Sequence, residues 1–206
     1  MSDKLVLHEF SLSGNCYKVR LTAAHVGVPL ERREYDLMKG ETRTPEFLAN
    51  ISSNGRIPVL QAGDRFIPES NAICFYVADG SALIPADRAD RADMLHWMFW
   101  EQYHHEPNIA TLRFWMRWHG LDRLTDLQRS QMPVKRKLGN EALQLMDRHL
   151  AGREWFVGDA ISLADICLFA YTHVADEADF DLALYPNVIE WMERIMGDPG
   201  FVPMDA

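Results

Sequence analysis

Cysteine is scarce. The chain of 206 residues has three, Cys16, Cys74 and Cys167, far apart and in no CxxC spacing. An odd, dispersed set excludes a disulfide framework and fits a reducing, cytoplasmic compartment. Basic residues are also in the minority: 21 Lys and Arg against 30 Asp and Glu give a net charge of -9. A diffuse negative field repels nucleic acid and anionic membrane surfaces, which excludes both as partners; an anionic small ligand would need a locally basic pocket. Long apolar runs are missing. Leu5-Val6-Leu7 is too short for a signal peptide, and nothing approaches the roughly 20 apolar residues of a membrane span. HExxH is absent. The adjacent His104 and His105 face different sides of a helix, so no metal site is expected. Internal repeats and low-complexity segments are absent too.

What remains is ordinary globular composition, 48% hydrophobic and 25% charged, in a chain long enough for one core or two small domains. The first eighty residues mix strands and helices. Strands are predicted over residues 4–10, 30–35, 57–61 and 65–68. A helix is predicted over 15–26, with Val19, Ala23 and Val26 on one face and Gly27 ending it. Another starts at Thr44-Pro45, with Thr44 as N-cap and proline at the first helical position. A third runs over 70–78. Ala62-Gly63-Asp64 is a hairpin signal. A helix between the first two strands permits parallel pairing, and the hairpin adds an antiparallel pair, giving a mixed four-stranded sheet. After a linker near Pro85 the strand signals stop. Helices are predicted over 88–118, bent at Pro107, and over 125–150, 162–178 and 186–196.

Ile57-Pro58 stands at a strand start, where a residue without an N–H belongs. A cis peptide there would turn the Ile57 N–H and C=O outward to pair with an extended, peptide-like ligand. Ten residues on, Pro68-Glu69-Ser70 closes a strand and opens a helix. Ser70 is expected to cap that helix, whose N-terminus attracts a carboxylate, and Glu69 can hold an ammonium. One loop would thus take both charges of an amino-acid end. The alternative is plainer: an edge-strand proline and a cap.

The run Asn54-Gly55-Arg56-Ile57-Pro58-Val59-Leu60, followed by Pro68-Glu69-Ser70-Asn71-Ala72-Ile73, resembles the glutathione-binding segment of cytosolic glutathione transferases. Ser162-Leu163-Ala164-Asp165-Ile166, a capping box preceded by Gly158-Asp159, resembles the folding motif of that family's helical domain. The resemblance covers essentially the whole chain. It implies an α/β thioredoxin-like domain over residues 1–80, a linker over 81–89 and an all-α domain over 90–206 carrying a hydrophobic-substrate site. It also implies a homodimer, a role in detoxification, glutathione as co-substrate, a cis Pro58, Ile57 pairing with the cysteinyl part, and Glu69 and Ser70 on the γ-glutamyl end.

The chemistry would sit in the turn from Ser11 to Arg20, between the first strand and the first helix. A helix N-terminus favours anions, and a hydroxyl donating to a thiolate stabilises it. A thiol of ordinary pKa, about 8.5, is only a few per cent ionised near neutrality; a shift of about two units makes the thiolate the majority form. Ser13 resembles the catalytic serine of serine-type transferases and is the first choice for the donor. Its rival role is simple capping. Ser11 is the rival hydroxyl, and Asn15 can add an amide donor. Ser13-Gly14-Asn15-Cys16 lies where thioredoxin-like proteins carry CxxC. Cys16 then takes the buried position of a small core residue, although a bacterial transferase class uses a cysteine near here. Lys39, Arg43 and Arg56 are the cations available to the glycyl carboxylate; Thr42 departs from the family at a position that often carries His. On the aromatic helix Trp100, Tyr103 and Phe114 are the candidates for the substrate wall. The preferred function is transfer of the glutathione thiolate to a small apolar electrophile. The alternatives are glutathione-dependent reduction of a disulfide or peroxide, and a non-catalytic binding module on the same fold.

Overall fold

The computed structural model describes residues 4–206. These divide into two compact units: the chain as far as Ile84 together with Pro199–Ala206, and Pro85–Asp198. The helical unit therefore stops short of its expected end. The last eight residues return to the first unit, held there by Tyr17 Oη donating to Val202 O at 2.6 Å and Arg20 Nη2 donating to Met204 O at 2.8 Å.

The first unit contains β1 (Leu5–Glu9), α1 (Gly14–Val26), β2 (Glu31–Glu34), α2 (Pro45–Asn50), β3 (Val59–Ala62), β4 (Arg65–Pro68) and α3 (Ser70–Val77). The strand order is β2-β1-β3-β4. β1 pairs in parallel with β2, Val6 opposite Glu31, and antiparallel with β3, Leu7 opposite Leu60. The turn residues act where the sequence places them. Gly27 adopts φ 68° as a left-handed C-cap, and Thr44 accepts from Phe47 N with Pro45 at the first helical position. β3 enters its ladder at Val59, two residues later than predicted.

Two predictions are corrected here. α1 has no single buried face: every residue from Cys16 to Ala23 is buried, including Lys18 and Arg20, because strands, α3 and the returning tail cover it. The long side chains extend past the apolar core to polar partners, so a charged residue need not mark an outer face. Secondly, Ser70 is not the cap of α3. Glu69 is the N-cap, and Ser70 is the first helical residue.

The second unit contains α4 (Arg88–Trp100), α5 (Glu106–Phe114), α6 (Asp126–Leu150), α7 (Leu163–Thr172) and α8 (Pro186–Met196). α4 and α5 continue each other through a π-helical turn, Glu101–His105, and a second π turn, Trp115–His119, ends the run. A π turn thus stands immediately ahead of Pro107, where a bend is predicted. Pro107 has no N–H to give Tyr103, and the wider turn, with Glu106 N donating to Glu101 O, accommodates the gap. The helix predicted over 162–178 ends at Thr172 and resumes as a 3₁₀ turn, Ala175–Ala178. Ser162 caps α7, and the Asp165 carboxylate reaches back to its N–H. No helix among the described residues is long and apolar enough to cross a membrane.

Candidate functional site

β1 ends at Glu9, and four residues carry the chain into α1. Ser13 holds extended backbone, φ -79° and ψ 125°, the ordinary geometry of an N-cap. Its Oγ accepts from Cys16 N at 3.4 Å. That contact uses a lone pair of the oxygen and not the hydroxyl proton, which has the Cys16 side chain as its neighbour. Capping and thiolate donation, set against each other on sequence grounds, are compatible at this residue because they use opposite functions of one hydroxyl.

Ser11 is arranged differently. Its N–H and its hydroxyl both donate to the Glu34 carboxylate, at 2.8 Å and 3.1 Å. The Ser11 proton is therefore committed to a carboxylate at the end of β2. Cys16 is fully buried, with Sγ accepting from Phe10 N at 3.5 Å, and burial pushes its thiol up to about 12. It stays a neutral thiol at physiological pH, and its packing is that of a small core residue.

Asn15, in the first turn of α1, faces α3. Ser70 Oγ donates to Asn15 Oδ1 at 3.2 Å, across 55 residues of sequence. This contact ties the first turn of α1 to the first residue of α3. Glu69 itself is exposed and has φ 71° and ψ 112°. Positive φ costs a side-chain-bearing residue of order 1–3 kcal/mol and persists only where the surroundings enforce it. Such strain concentrates at ligand clamps, and here it stands at a helix N-terminus whose first amides point out of the helix. The Ile57-Pro58 peptide is cis. Since β3 begins its ladder at Val59, Ile57 precedes all of its paired positions.

The expected cations are spread out. Lys39 is exposed and pairs with Asp36 at 3.1 Å, which raises the Lys39 pKa and lowers that of Asp36. Arg43 Nη1 donates to Asn54 O at 2.8 Å, bracing the loop ahead of Ile57. Arg56 is exposed, and its N–H donates to Asn54 Oδ1 at 3.1 Å. On the helical unit Trp100 and Phe114 are half-buried, whereas Tyr103 is 78% exposed. Trp100 packs edge-on to Trp97 with centroids 5.2 Å apart, and Phe114 lies 6.2 Å from Trp118. Among the described residues no group of three or more His, Cys, Asp or Glu is placed to hold a metal ion.

Motif reasoning missed the polar groups behind the turn. Lys18 is fully buried with Nζ 3.3 Å from Asn71 Oδ1. Arg20 donates to the Ser11 carbonyl and lies against Glu9. The available signal was Lys18 and Arg20 alternating with Tyr17, Val19 and Leu21 in the middle of one helix.

Residues 5–79 match the family model "Glutathione S-transferase, N-terminal domain", and residues 92–199 match "Glutathione S-transferase, C-terminal domain". A solved glutathione S-transferase from Pseudomonas fluorescens superimposes with a TM-score of 0.91 at 41% identity, covering 97% of this chain and 98% of that one. Glutathione S-transferase 3 of Zea mays is 30% identical over 210 residues, covering 96% of this chain and 91% of the relative. The disulfide-bond oxidoreductase YfcG of Escherichia coli is 28% identical over 209 residues, covering 92% and 89%.

Proposed function

The chain belongs to the glutathione S-transferase family, and from that premise we propose that it binds glutathione on its first unit and transfers the glutathione thiolate to small apolar electrophiles. The observation that supports this is the Ser70–Asn15 hydrogen bond, which ties the start of α1 to the start of α3. The Ile57 backbone would pair with the cysteinyl part of the tripeptide, and Glu69 with the γ-glutamyl ammonium. The first amides of α3 would take its carboxylate. Arg56, Arg43 and Lys39 are the nearest candidates in sequence for the glycyl carboxylate.

The cysteinyl sulfur would then lie near Ser13. The Ser13 hydroxyl, whose cap contact uses only a lone pair, would turn its proton from the Cys16 side chain to the thiolate. Charge-assisted hydrogen bonds are worth roughly 1.5–3 kcal/mol, enough to lower a thiol pKa by about 1–2 units. Positioning of the electrophile against the thiolate would contribute the entropic part of the rate. The thiolate attacks the electrophilic carbon, the carbon–sulfur bond forms, and the leaving group departs with the electron pair.

A second reading is favoured by the likeness to a disulfide-bond oxidoreductase and by Asn15 beside Ser13. There bound glutathione would exchange with a disulfide, and no protein dithiol would take part, because Cys16 is buried as a neutral thiol. A side-by-side assay of an aryl halide and a glutathione-capped disulfide separates the two. Turnover of the halide alone supports transfer; turnover of the disulfide alone supports exchange. Glutathione at millimolar concentration is expected to raise the melting temperature by mass action, and no shift would remove both.

A further inference from the structure

The tail Pro199–Ala206 returns to the first unit, and its carbonyls converge on one buried side chain, Arg20. Arg20 Nη2 donates one proton to Met204 O at 2.8 Å and the other to the Ser11 carbonyl. Arg20 Nη1 lies 3.4 Å from Ala206 O, which also accepts from Arg32 Nη1 at 2.6 Å. The tail is seated on α1 at two further points. Val202 O accepts from Tyr17 Oη at 2.6 Å, and Gly200 lies so close to His25 that an added Cβ would stand 2.6 Å from its ring and 2.9 Å from its Cα.

Glu9 competes for the same guanidinium. Its Oε2 is 3.1 Å from Arg20 Nε, yet both atoms are buried and neither has a hydrogen-bond partner among the described residues. A guanidinium and a carboxylate favour two parallel bonds. Here the fork is turned out of that arrangement, with Nη2 bridging Ser11 and Met204. Two adjacent buried polar atoms left unsatisfied need a physical cause, and the carbonyls of the tail supply one. The Ser11 end of the bridge bears on the site. Ser13 N donates to Phe10 O at 2.9 Å, so residues 10–13 form a reverse turn, and Ser11 O is on its central peptide. The orientation of that peptide sets ψ of Ser11 and φ of Leu12, and with them the direction in which the chain reaches Ser13.

We propose that the returning tail is a positioning segment of the glutathione site: Met204 and Ala206 hold the Arg20 fork on the Ser11 carbonyl and off a closed pair with Glu9, which keeps Ser13 aimed at the sulfur. This rests on the glutathione-binding function proposed above. A tail that merely covered α1 would affect folding stability. A tail acting through Arg20 also sets how strongly the bound thiol ionises, because the donor to the thiolate stands two residues beyond the carbonyl that Arg20 grips. Without the tail the fork closes on Glu9, the central peptide of the turn is released, and the Ser13 hydroxyl loses its alignment.

The test uses the full chain and reads the ionisation of bound glutathione from the ultraviolet absorbance of the thiolate against pH. Glutathione affinity from calorimetry, melting temperature and the Arg20 Nε proton resonance are measured alongside. Gly200→Val has no room against His25, whose Cα cannot swing aside, so the tail must lift. The variant is expected to raise the bound thiol pKa by about 0.5–1 unit, lowering kcat roughly three- to tenfold on the acid side of the profile. The glutathione Kd should change less than about threefold, and the Arg20 Nε proton should move downfield as the pair with Glu9 closes. Arg20→Lys keeps a charge facing Glu9 but has no planar fork to bridge two carbonyls, and should raise the thiol pKa by a similar amount. Gly200→Val should then add little on top of it, a non-additivity expected of groups in one network. Gly200→Ala is the milder displacement and serves if the valine variant does not fold. An unchanged thiol pKa in Gly200→Val, or in Gly200→Ala where only that variant folds, leaves the tail as a stabilising strap and overturns the proposal, with glutathione binding intact. Absence of glutathione binding to the wild-type protein overturns the proposed function and this inference together.

Discussion

Replacing Ser13 tests the site most directly, because one hydroxyl is asked to do two things that different side chains can separate. As a cap, Ser13 Oγ accepts from Cys16 N at 3.4 Å, longer than the usual 2.9–3.0 Å of such bonds. Its capping contribution therefore belongs at the low end of the range, about 0.5–1 kcal/mol. For a chain of this size that corresponds to a melting-temperature change of about 1–4 °C. As a donor to a thiolate, the same hydroxyl is worth roughly 1.5–3 kcal/mol, or about 1–2 units of thiol pKa. Ser13→Ala should lose both: a small drop in melting temperature, and a ten- to hundredfold fall in kcat/KM below the thiol pKa. Ser13→Asp keeps an excellent cap but has no proton to give and adds a negative charge beside the sulfur. It should melt near the wild-type temperature and be nearly inactive. Ser13→Thr keeps both functions and should stay within about threefold of wild type. The assay is a pH–rate profile with one aryl halide, paired with spectroscopic titration of the bound thiol. If Ser13→Ala leaves the thiol pKa within about 0.3 unit of wild type, Ser13 is only a cap and the donor must be sought at Asn15.

Three other outcomes are expected. Asp165 is fully buried and accepts from Phe156 N, Ser162 N, Ser162 Oγ and Trp191 Nε1, all at 2.9–3.0 Å. Asp165→Asn turns an NH2 toward two of these donors and should lower unfolding free energy by about 3 kcal/mol in urea; a loss under about 1 kcal/mol would mean that the carboxyl is not serving all four. At Gly55, φ is +63° and an added Cβ would lie 2.8 Å from the Thr42 carbonyl oxygen and from Arg43 Nη1. Gly55→Ala should therefore cost about 1–3 kcal/mol and weaken glutathione binding by displacing the loop ahead of Ile57, to be checked by denaturation and calorimetry. Cys16, with its thiol pushed up to about 12, should resist iodoacetamide in the native protein, since roughly one in ten thousand is ionised at pH 8. The same upward shift makes stability fall as pH climbs from the unfolded thiol's value toward 12, because the unfolded state gives up that proton first. Rapid native alkylation at pH 8 would contradict the burial.

Legibility in the sequence followed the range of the interactions. Thr44-Pro45, Gly27 and the Ala62-Gly63-Asp64 hairpin depend on contacts within four residues, and each acts as its local chemistry dictates. The α1 pattern misled because helical periodicity assumes one wet face. With α3 and the returning tail packed on it, Lys18 and Arg20 are buried at polar contacts that no window of α1 contains. Serine is a good N-cap, so local chemistry points to Ser70 as the cap of α3. Glu69 adopts φ 71° and takes the cap position instead, so Ser70 is the first helical residue and its hydroxyl donates to Asn15. A glutamate in that conformation is invisible to propensity, since propensity speaks against it.

The same long-range contacts explain how the four-residue turn between β1 and α1 keeps its shape. Ser11 is held from two directions: its N–H and hydroxyl by Glu34 on β2, and its carbonyl by Arg20 one and a half turns into α1. Arg20 is in turn fixed by Glu9, whose Oε2 lies 3.1 Å from Arg20 Nε without an aligned hydrogen bond, while Arg32 closes on the other oxygen. Burial raises the Glu9 pKa, against the pull of the two arginines. A buried carboxylate between two guanidiniums adds little net stability, because its desolvation offsets most of the attraction, yet removing Glu9 would leave the two guanidiniums uncompensated. Such a cluster is better suited to specifying geometry than to stabilising the fold. The tail completes it: Met204 O and Ala206 O accept from Arg20, and Ala206 O also accepts from Arg32. The arginine that grips Ser11 is thus itself gripped by the last residues of the chain. Ser13, two residues on, inherits a fixed position from groups that never need to touch the ligand, which a hydroxyl must have if its single proton is to meet one sulfur atom.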